Sequence, residues 1–343
     1  MDIRIKEENV LNKNFSIIKI KNSKGMKMTL FSLGASLYSL KILNRKNEEI
    51  ETLIAPKSLE AFIHKDQYFG KTIGRVAGRI DKGVLNFENK SYVLEKNWNG
   101  ISCLHGGEFG LSNKNFDFEI NRCENYCEII FKSYILQKED HMPGNLDVTV
   151  IYKIYENENS FDIKFIYKCS KKSIASFTNH ACFNLNGKGN VLEDELYINA
   201  SSYGHLNNEL ISTKIASVNE IMDFRKGKKI GDFINDEYLK NHTAFGYDHP
   251  FILDTKNLKD KACILYNKDK SVHLTIKSTF PCMVAYSCNY PSKELLINGE
   301  VDSLHNGICL ECSYLPNSIN MGFNDAVILP NKEYQNTISY TFE

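Results

Sequence analysis

The reading of the fold turns on Leu146-Asp147-Val148-Thr149-Val150-Ile151-Tyr152-Lys153-Ile154-Tyr155-Glu156-Asn157-Glu158-Asn159-Ser160-Phe161-Asp162-Ile163-Lys164-Phe165-Ile166-Tyr167. In an extended chain successive side chains point to opposite sides, so Val148, Val150, Tyr152 and Ile154 share one face. Phe161, Ile163, Phe165 and Tyr167 repeat the pattern, alternating with Asp162, Lys164 and Ile166. The polar connection Glu156-Asn157-Glu158-Asn159 is short enough for a hairpin.

The same arrangement recurs outward from this segment. Val84 to Phe87 and Tyr92 to Leu94 flank Glu88-Asn89-Lys90, and Cys263 to Tyr266 and Val272, Leu274 and Ile276 flank Lys268-Asp269-Lys270. Ile338, Tyr340 and Phe342 make a further alternating face near the end. Helical periodicity is scarce. A short helix capped by Ser58 is expected up to His64, with Leu59, Phe62 and Ile63 as its apolar side. Val218 to Phe224 and Ile230 to Leu239 have room for a turn or two each, and Gly187-Lys188-Gly189 reads as a turn between strands. Hairpin after hairpin with few helices predicts an all-β, mostly antiparallel fold. Neither a sequence repeat nor a Pro/Gly/Ser-rich linker divides the chain, which predicts one domain over residues 1–343.

Lys+Arg and Asp+Glu both number 42, so no net field favours nucleic acid, an anionic membrane or an acidic substrate. The start, Met1-Asp2-Ile3-Arg4-Ile5-Lys6-Glu7-Glu8, has no apolar stretch of the signal-peptide kind, and no run approaches the roughly 18 residues of a membrane helix. Ten cysteines without a compact framework predict reduced thiols and a cytoplasmic protein. Cys309 and Cys312 have CxxC spacing, but residues three apart on a strand face opposite ways and there is no second CxxC for a metal tetrad. No metal is expected. Walker A and strand-linked GxGxxG sequences are absent, which leaves no sequence case for a nucleotide.

Five segments carry polar residues that a purely structural chain would not require. Gly74-Arg75-Val76-Ala77-Gly78-Arg79-Ile80 offers two forked donors among glycines that allow close backbone approach, although either arginine alone reads equally as a surface ion-pair partner. Leu104-His105-Gly106-Gly107 leaves room around an imidazole for a ligand, or is a tight turn. Thr178-Asn179-His180-Ala181-Cys182-Phe183-Asn184-Leu185-Asn186-Gly187 is densely polar in an apolar setting, where buried Asn and His need partners. In Gly246-Tyr247-Asp248-His249-Pro250 the proline extends His249, which suits a strand entry presenting Asp248 to a cleft; an Asx-type turn is the alternative. In Gly307-Ile308-Cys309-Leu310-Glu311-Cys312, alternation sets Ile308, Leu310 and Cys312 on one face and Cys309 and Glu311 on the other. Glu311 is then either a carboxyl with a raised pKa in an apolar setting or an outward residue on an edge strand.

Taken in order, Arg79-Ile80, Leu104-His105-Gly106-Gly107, Asn179-His180 with Phe183-Asn184-Leu185, Asp248-His249 and Leu310-Glu311 resemble the signature segments of the aldose 1-epimerase (galactose mutarotase) family. Pro143-Gly144 and Asp223-Phe224-Arg225 add to the resemblance, which runs from near Gly34 to Leu329-Pro330 and Tyr334. It implies a large antiparallel β-sandwich with a few short helices, and a cofactor-free enzyme, monomeric or homodimeric, acting on a neutral aldohexose such as galactose or glucose.

Changing the anomer of a pyranose requires a base for the C1 hydroxyl proton and an acid for the ring oxygen, with the roles reversed on closure. Paired proton transfer of this kind contributes about 10²–10⁴-fold. By resemblance Glu311 takes the base position and His180 the acid position, while Arg79, His105 and Asp248 hold the sugar hydroxyls. Asn184 is a further substrate-binding candidate, with Tyr286 beside it. Gly78 stands where many relatives carry Asn, Cys182 where an aromatic residue is usual, and His141-Met142 precedes Pro143-Gly144 in place of a small residue and an aromatic. A hexose-6-phosphate epimerase of the same fold would want extra cations at the cleft, for which Arg75 and Arg225 are the candidates. A non-catalytic sugar-binding β-sandwich would have no need of His180 and Glu311 together. A glycosidase would want two placed carboxylates, and only Glu311 and Asp248 stand out.

Overall fold

The computed structural model describes residues 1–64 and 68–343. The Leu146–Tyr155 and Ser160–Cys169 strands pair antiparallel, with Val150 opposite Phe165 and Tyr152 opposite Ile163. They lie inside a nine-stranded sheet in the order Asp117–Arg122, Tyr126–Ile135, Leu146–Tyr155, Ser160–Cys169, Glu333–Phe342, His273–Ser278, Cys263–Tyr266, Glu195–Ile198 and Lys228–Lys229. Among the described residues two further large antiparallel sheets accompany it. One has five strands from the N-terminal region, in sequence order from Asp2–Val10 to Glu49–Glu51. The other has six, in the order Cys182–Phe183, Ile308–Ser313, Cys282–Tyr286, Asp248–Ile252, Ser202–Leu206 and Ser212–Ser217.

The inward faces of the three sheets meet in one apolar core. Ile18, Leu30 and Leu40 come from the five-stranded sheet, Val150, Tyr152, Phe165 and Ile338 from the nine-stranded sheet, and Phe251, Met283, Ile308 and Leu310 from the six-stranded sheet. Burial of this kind is worth roughly 1.5–3 kcal/mol for each large apolar side chain, which fixes the register of each strand, because a one-residue slip would turn that face to water. The all-β, mostly antiparallel fold expected from the alternation is the one observed, with α-helices confined to Leu59–Ile63, Gln137–Asp140 and Glu237–His242 among the described residues.

Ser58 caps the first helix by accepting from the amide of Ala61, as expected. Residues 218–224 form turns rather than helix. In the 230–239 stretch the chain turns first, and the helix starts only at Glu237, where Asp236 supplies the cap. Ile308–Ser313 is not an edge strand. It is fully buried between Cys182–Phe183 and Cys282–Tyr286, so Glu311 faces neither bulk solvent nor an open edge. The buried phenol of Tyr152 donates to Ala35 O at 2.7 Å and receives the amide of Asn179, which ties the nine-stranded sheet to the residue before His180.

Candidate active site

A cleft opens on one face of the six-stranded sheet, lined by Arg79, His105, His180, Asp248 and Glu311 together with Tyr68, Trp98, Tyr286 and Tyr290. The elements that carry these residues are far apart in sequence, and the sheet register brings them together. His180 follows the short Thr178–Asn179 strand and is gripped by its backbone on both sides. Its amide donates to Lys71 O at 2.9 Å, and its carbonyl accepts from the Gly70 amide at 2.8 Å. Its Nε2 lies 3.5 Å from Oε1 of Glu311, with both side chains nearly buried.

Burial works in opposite directions on the two groups, because it disfavours whichever form is charged. It pushes the His180 imidazole down to about 4, with the Arg79 guanidinium adding to the effect. It pushes the Glu311 carboxyl well above the ordinary carboxylate range, reinforced by the negative charge of Asp248 and opposed by Arg79. Between those limits the pair holds one proton in common. Two acceptors sharing one proton at hydrogen-bonding range of a ligand can take a proton at one atom while giving one at another.

His105 sits in a turn where it and both following glycines have positive φ, at 56°, 86° and 72°. A Cβ on Gly106 would meet Gly74 O at 2.4 Å, so the turn requires glycine there. The turn lays the His105 ring against His180 at 5.4 Å between centroids, with Tyr68 edge-on at 4.7 Å. Nδ1 of His105 accepts from the Gly78 amide at 3.2 Å, which leaves Nε2 as the protonated nitrogen. Burial, with the neighbouring His180 and Arg79, keeps that ring well below the usual histidine range and so neutral.

Arg79 donates to Oδ2 of Asp248 at 3.2 Å and stacks its guanidinium over Trp98 at 4.7 Å from the ring centroid. Its Nε is buried without a hydrogen-bond partner and is a donor still to be used. Asp248 opens the Asp248–Ile252 strand, extended as the proline predicts. Its carboxyl is raised by burial, against the pull of Arg79. Together the two offer fixed donors and an acceptor for vicinal hydroxyls.

Asn184, expected at the sugar, is not among the residues that line the cleft. Its amide donates to Gly189 O at 2.9 Å and Asn306 O at 2.8 Å, which satisfies a buried turn. Arg75 is neither at the surface nor in the cleft. It is fully buried, paired with Asp140 at 2.7 Å, and donates to Pro143 O, Gly144 O and Ser173 Oγ. The expectation of ten reduced thiols is corrected as well, since Cys182 and Cys309 are joined in a disulfide and eight cysteines are free.

The family model for aldose 1-epimerase matches residues 16–341. The chain belongs to the aldose 1-epimerase family. It is 28 % identical to pig galactose mutarotase over 323 residues, covering 92 % of this chain and 91 % of that one. It is also 28 % identical to aldose 1-epimerase of Escherichia coli K12 over 341 residues, covering 96 % and 95 %. Its fold is similar to the crystal structure of galactose 1-epimerase from Lactobacillus acidophilus, with a TM-score of 0.85, 26 % identity and 100 % and 98 % of the two chains covered. An aldose epimerase homologue from C. elegans matches with a TM-score of 0.83, 25 % identity and 95 % and 98 % coverage.

In this member of the aldose 1-epimerase family, Gly78 has both backbone polar groups engaged by His105, which donates its own amide to Gly78 O. The Gly78 amide is therefore occupied, and only its carbonyl, with a second lone pair, has capacity left for a ligand. Tyr68, Trp98 and Tyr290 were not singled out in the sequence; lone aromatic residues in connecting segments form no pattern. They wall the cleft with apolar faces of the kind that pack on the C–H side of a sugar ring. Two sets of side chains bring possible ligand atoms within 4.8 Å of one another: His105, His180 and Glu311, and His180 with Cys182 and Cys309, whose sulfurs are bonded to each other here.

Proposed function

We propose that the protein interconverts the α and β anomers of a free aldohexose, with Glu311 and His180 as the acid–base pair. From the arrangement in which the proton shared by the pair is on His180, Glu311 takes the proton of the C1 hydroxyl while His180 gives one to the ring oxygen. The C1–O5 bond breaks and the open aldehyde forms. Rotation about C1–C2 presents the other face of the carbonyl. On closure O5 attacks C1, its proton returns to His180, and Glu311 gives its proton back to O1. No atom is gained or lost, and the pair ends with the single proton with which it began.

The observation that carries this reading is the buried His180–Glu311 pair, 3.5 Å apart at the base of a cleft whose walls also carry Arg79, His105 and Asp248. Arg79 and Asp248 act as the clamp on the hydroxyls, and His105 donates through Nε2. Among the described residues Arg79 is the one lysine or arginine lining the cleft, and it is already paired with Asp248. Arg75 is spent on Asp140, and Arg225 is bidentate to Asp223. This favours an unphosphorylated sugar over a hexose 6-phosphate.

Polarimetry of freshly dissolved α-D-galactose and α-D-glucose tests the proposal, with purified protein and no added cofactor. Faster decay to an unchanged final rotation is the expected result. Decay at the spontaneous rate with both sugars, but acceleration with glucose 6-phosphate, would replace this reading with the phosphorylated one.

A further inference from the structure

Two sulfurs lie against the far edge of the His180 ring. Nδ1 stands 3.8 Å from Sγ of Cys182 and 3.6 Å from Sγ of Cys309, while Nε2 on the opposite edge faces Glu311. The cysteines are directly paired across two antiparallel strands. Neither sulfur of a disulfide has a proton to give to Nδ1. Cys182 also lines the cleft, so a small solute reaches this corner by the route a sugar would take.

A tetrahedral zinc-type ion has metal–sulfur bonds of about 2.3 Å and metal–nitrogen bonds of about 2.0–2.1 Å, which set the nitrogen-to-sulfur edge at roughly 3.5–3.6 Å. Both observed nitrogen–sulfur separations lie within about 0.3 Å of that edge, and the two sulfurs, bonded to each other here, would part to roughly 3.8 Å around such an ion once reduced. Two thiolates and one neutral imidazole also form a soft, charge-balancing set for a divalent ion, with a fourth position left for water. The geometry points to a binding site for a thiophilic divalent cation built from His180 Nδ1, Cys182 Sγ and Cys309 Sγ. The disulfide closes this site and reduction opens it. That the bound ion inhibits rests on the proposed function of His180; that it binds does not.

Opening the site takes two electrons into the S–S bond. With a water-soluble phosphine, phosphorus supplies the pair and takes the oxygen of one water, and the two protons of that water go to the sulfurs. Binding of the divalent ion then displaces both thiol protons. With Nδ1 on the metal, the proton left on the ring sits at Nε2. That neutral ring could give up its Nε2 proton only by becoming an imidazolate, which makes it a far weaker acid than an imidazolium, so the ring oxygen goes unprotonated on opening and epimerisation slows.

The test uses the full-length protein, oxidised or reduced with a phosphine that is then removed under anaerobic conditions, and titrated with cadmium chloride. Equilibrium dialysis and the ultraviolet cadmium–thiolate band report binding, and polarimetry of glucose reports activity. The reduced protein is expected to bind one cadmium ion per chain that the oxidised protein does not. Mutarotation should fall about 100-fold at saturation and return on adding EDTA, the size of effect lost with a paired acid–base group. Cys182→Ser and Cys309→Ser should each lose the ion while keeping Cys288, which packs in the same cluster. Equal cadmium uptake by oxidised and reduced protein, or undiminished uptake by both serine variants, would overturn the site. If the metal-free protein shows no mutarotation at all, the functional reading fails while the cadmium band still decides the site.

Discussion

His180 and Glu311 face each other because Cys182 and Cys309 are register partners. Cys182 pairs with Cys309 across antiparallel strands, so two steps back along one chain and two forward along the other arrive at the histidine and the glutamate. A period of two keeps both on the side that lines the cleft. The result is the 3.5 Å approach of Nε2 to Oε1. His180 stands just outside its strand, where backbone bonds to Lys71 O and the Gly70 amide keep it in line with that count.

Glu311→Gln removes the carboxylate at nearly constant volume and should leave the fold intact. Turnover should fall by about 10²–10⁴-fold, with His180→Asn giving a loss of similar size. Polarimetry gives the rate, and thermal melting shows whether the variant is folded. A Glu311→Gln protein that epimerises at nearly the normal rate would remove Glu311 from the chemistry.

The opposed shifts of the pair set the pH dependence. Only the state with one proton on the pair can both give and take. At low pH both groups are protonated, and with the His180 imidazole held down to about 4 the fall in kcat/KM on the acid side should come near pH 4. At high pH Glu311 loses its proton, and that limb should lie well above the ordinary carboxylate range. A profile of kcat/KM against pH decides it, since that ratio reports the free enzyme. An acid limb near the unperturbed histidine value of about 6.5 would show that burial does not govern this ring.

Asp248→Asn keeps the shape of the side chain but deprives Arg79 of its charged partner at 3.2 Å. Hydrogen bonds to charged groups contribute about 1.5–3 kcal/mol, so KM should rise by roughly tenfold or more, with a smaller change in kcat. Steady-state polarimetry over a range of sugar concentrations separates the two. An unchanged KM would take Asp248 out of sugar binding.

Much of this architecture is legible in the chain. The alternation of 146–169 is the hairpin observed, because a half-buried strand leaves a period of two in its sequence. Local chemistry leaves Arg79, His105, His180, Asp248 and Glu311 each with a structural alternative; the family resemblance is what groups them, and all five line one cleft. What was not legible depends on the third dimension. Cys182 and Cys309 are 127 residues apart, and no spacing rule joins them until the register is known. Asn184 follows a strand that ends at Phe183, so the period does not carry through and its side chain turns to backbone carbonyls instead. Arg75 reads as a surface cation because nothing beside it in sequence announces Asp140, which packs against it from a short helix.

Gly78 poses a question of space. Its φ of 79° is one that side chains rarely adopt, Asn less reluctantly than most, and a Cβ there would also stand 2.6 Å from Cβ and 2.7 Å from Cγ of Pro316. Gly78→Asn should therefore lower stability by about 1–3 kcal/mol, as overpacking does. In a Pro316→Gly background the same change should cost less, and urea denaturation of the four proteins of that cycle measures the difference. Equal costs in both backgrounds would mean that Pro316 is not what keeps the position small.

The Arg75–Asp140 pair makes the opposite kind of prediction, a large effect on stability and little on chemistry. Both side chains are almost wholly buried, and burial lowers the arginine and raises the aspartate despite their mutual attraction. Asp140→Ala would leave the guanidinium with its hydrogen bonds to Pro143 O and Gly144 O but no counter-charge. Breaking a buried pair from one side costs about 3–5 kcal/mol, because the remaining charge stays desolvated. Arg75→Met with Asp140→Leu, which removes both charges, should recover a good part of that loss in urea denaturation. The Asp140→Ala protein that remains folded should epimerise at close to the normal rate, since neither residue lines the cleft. A rate lost in proportion to stability across both variants would instead place this pair in the support of His105, whose turn contacts the Gly74–Arg75 backbone through Gly106.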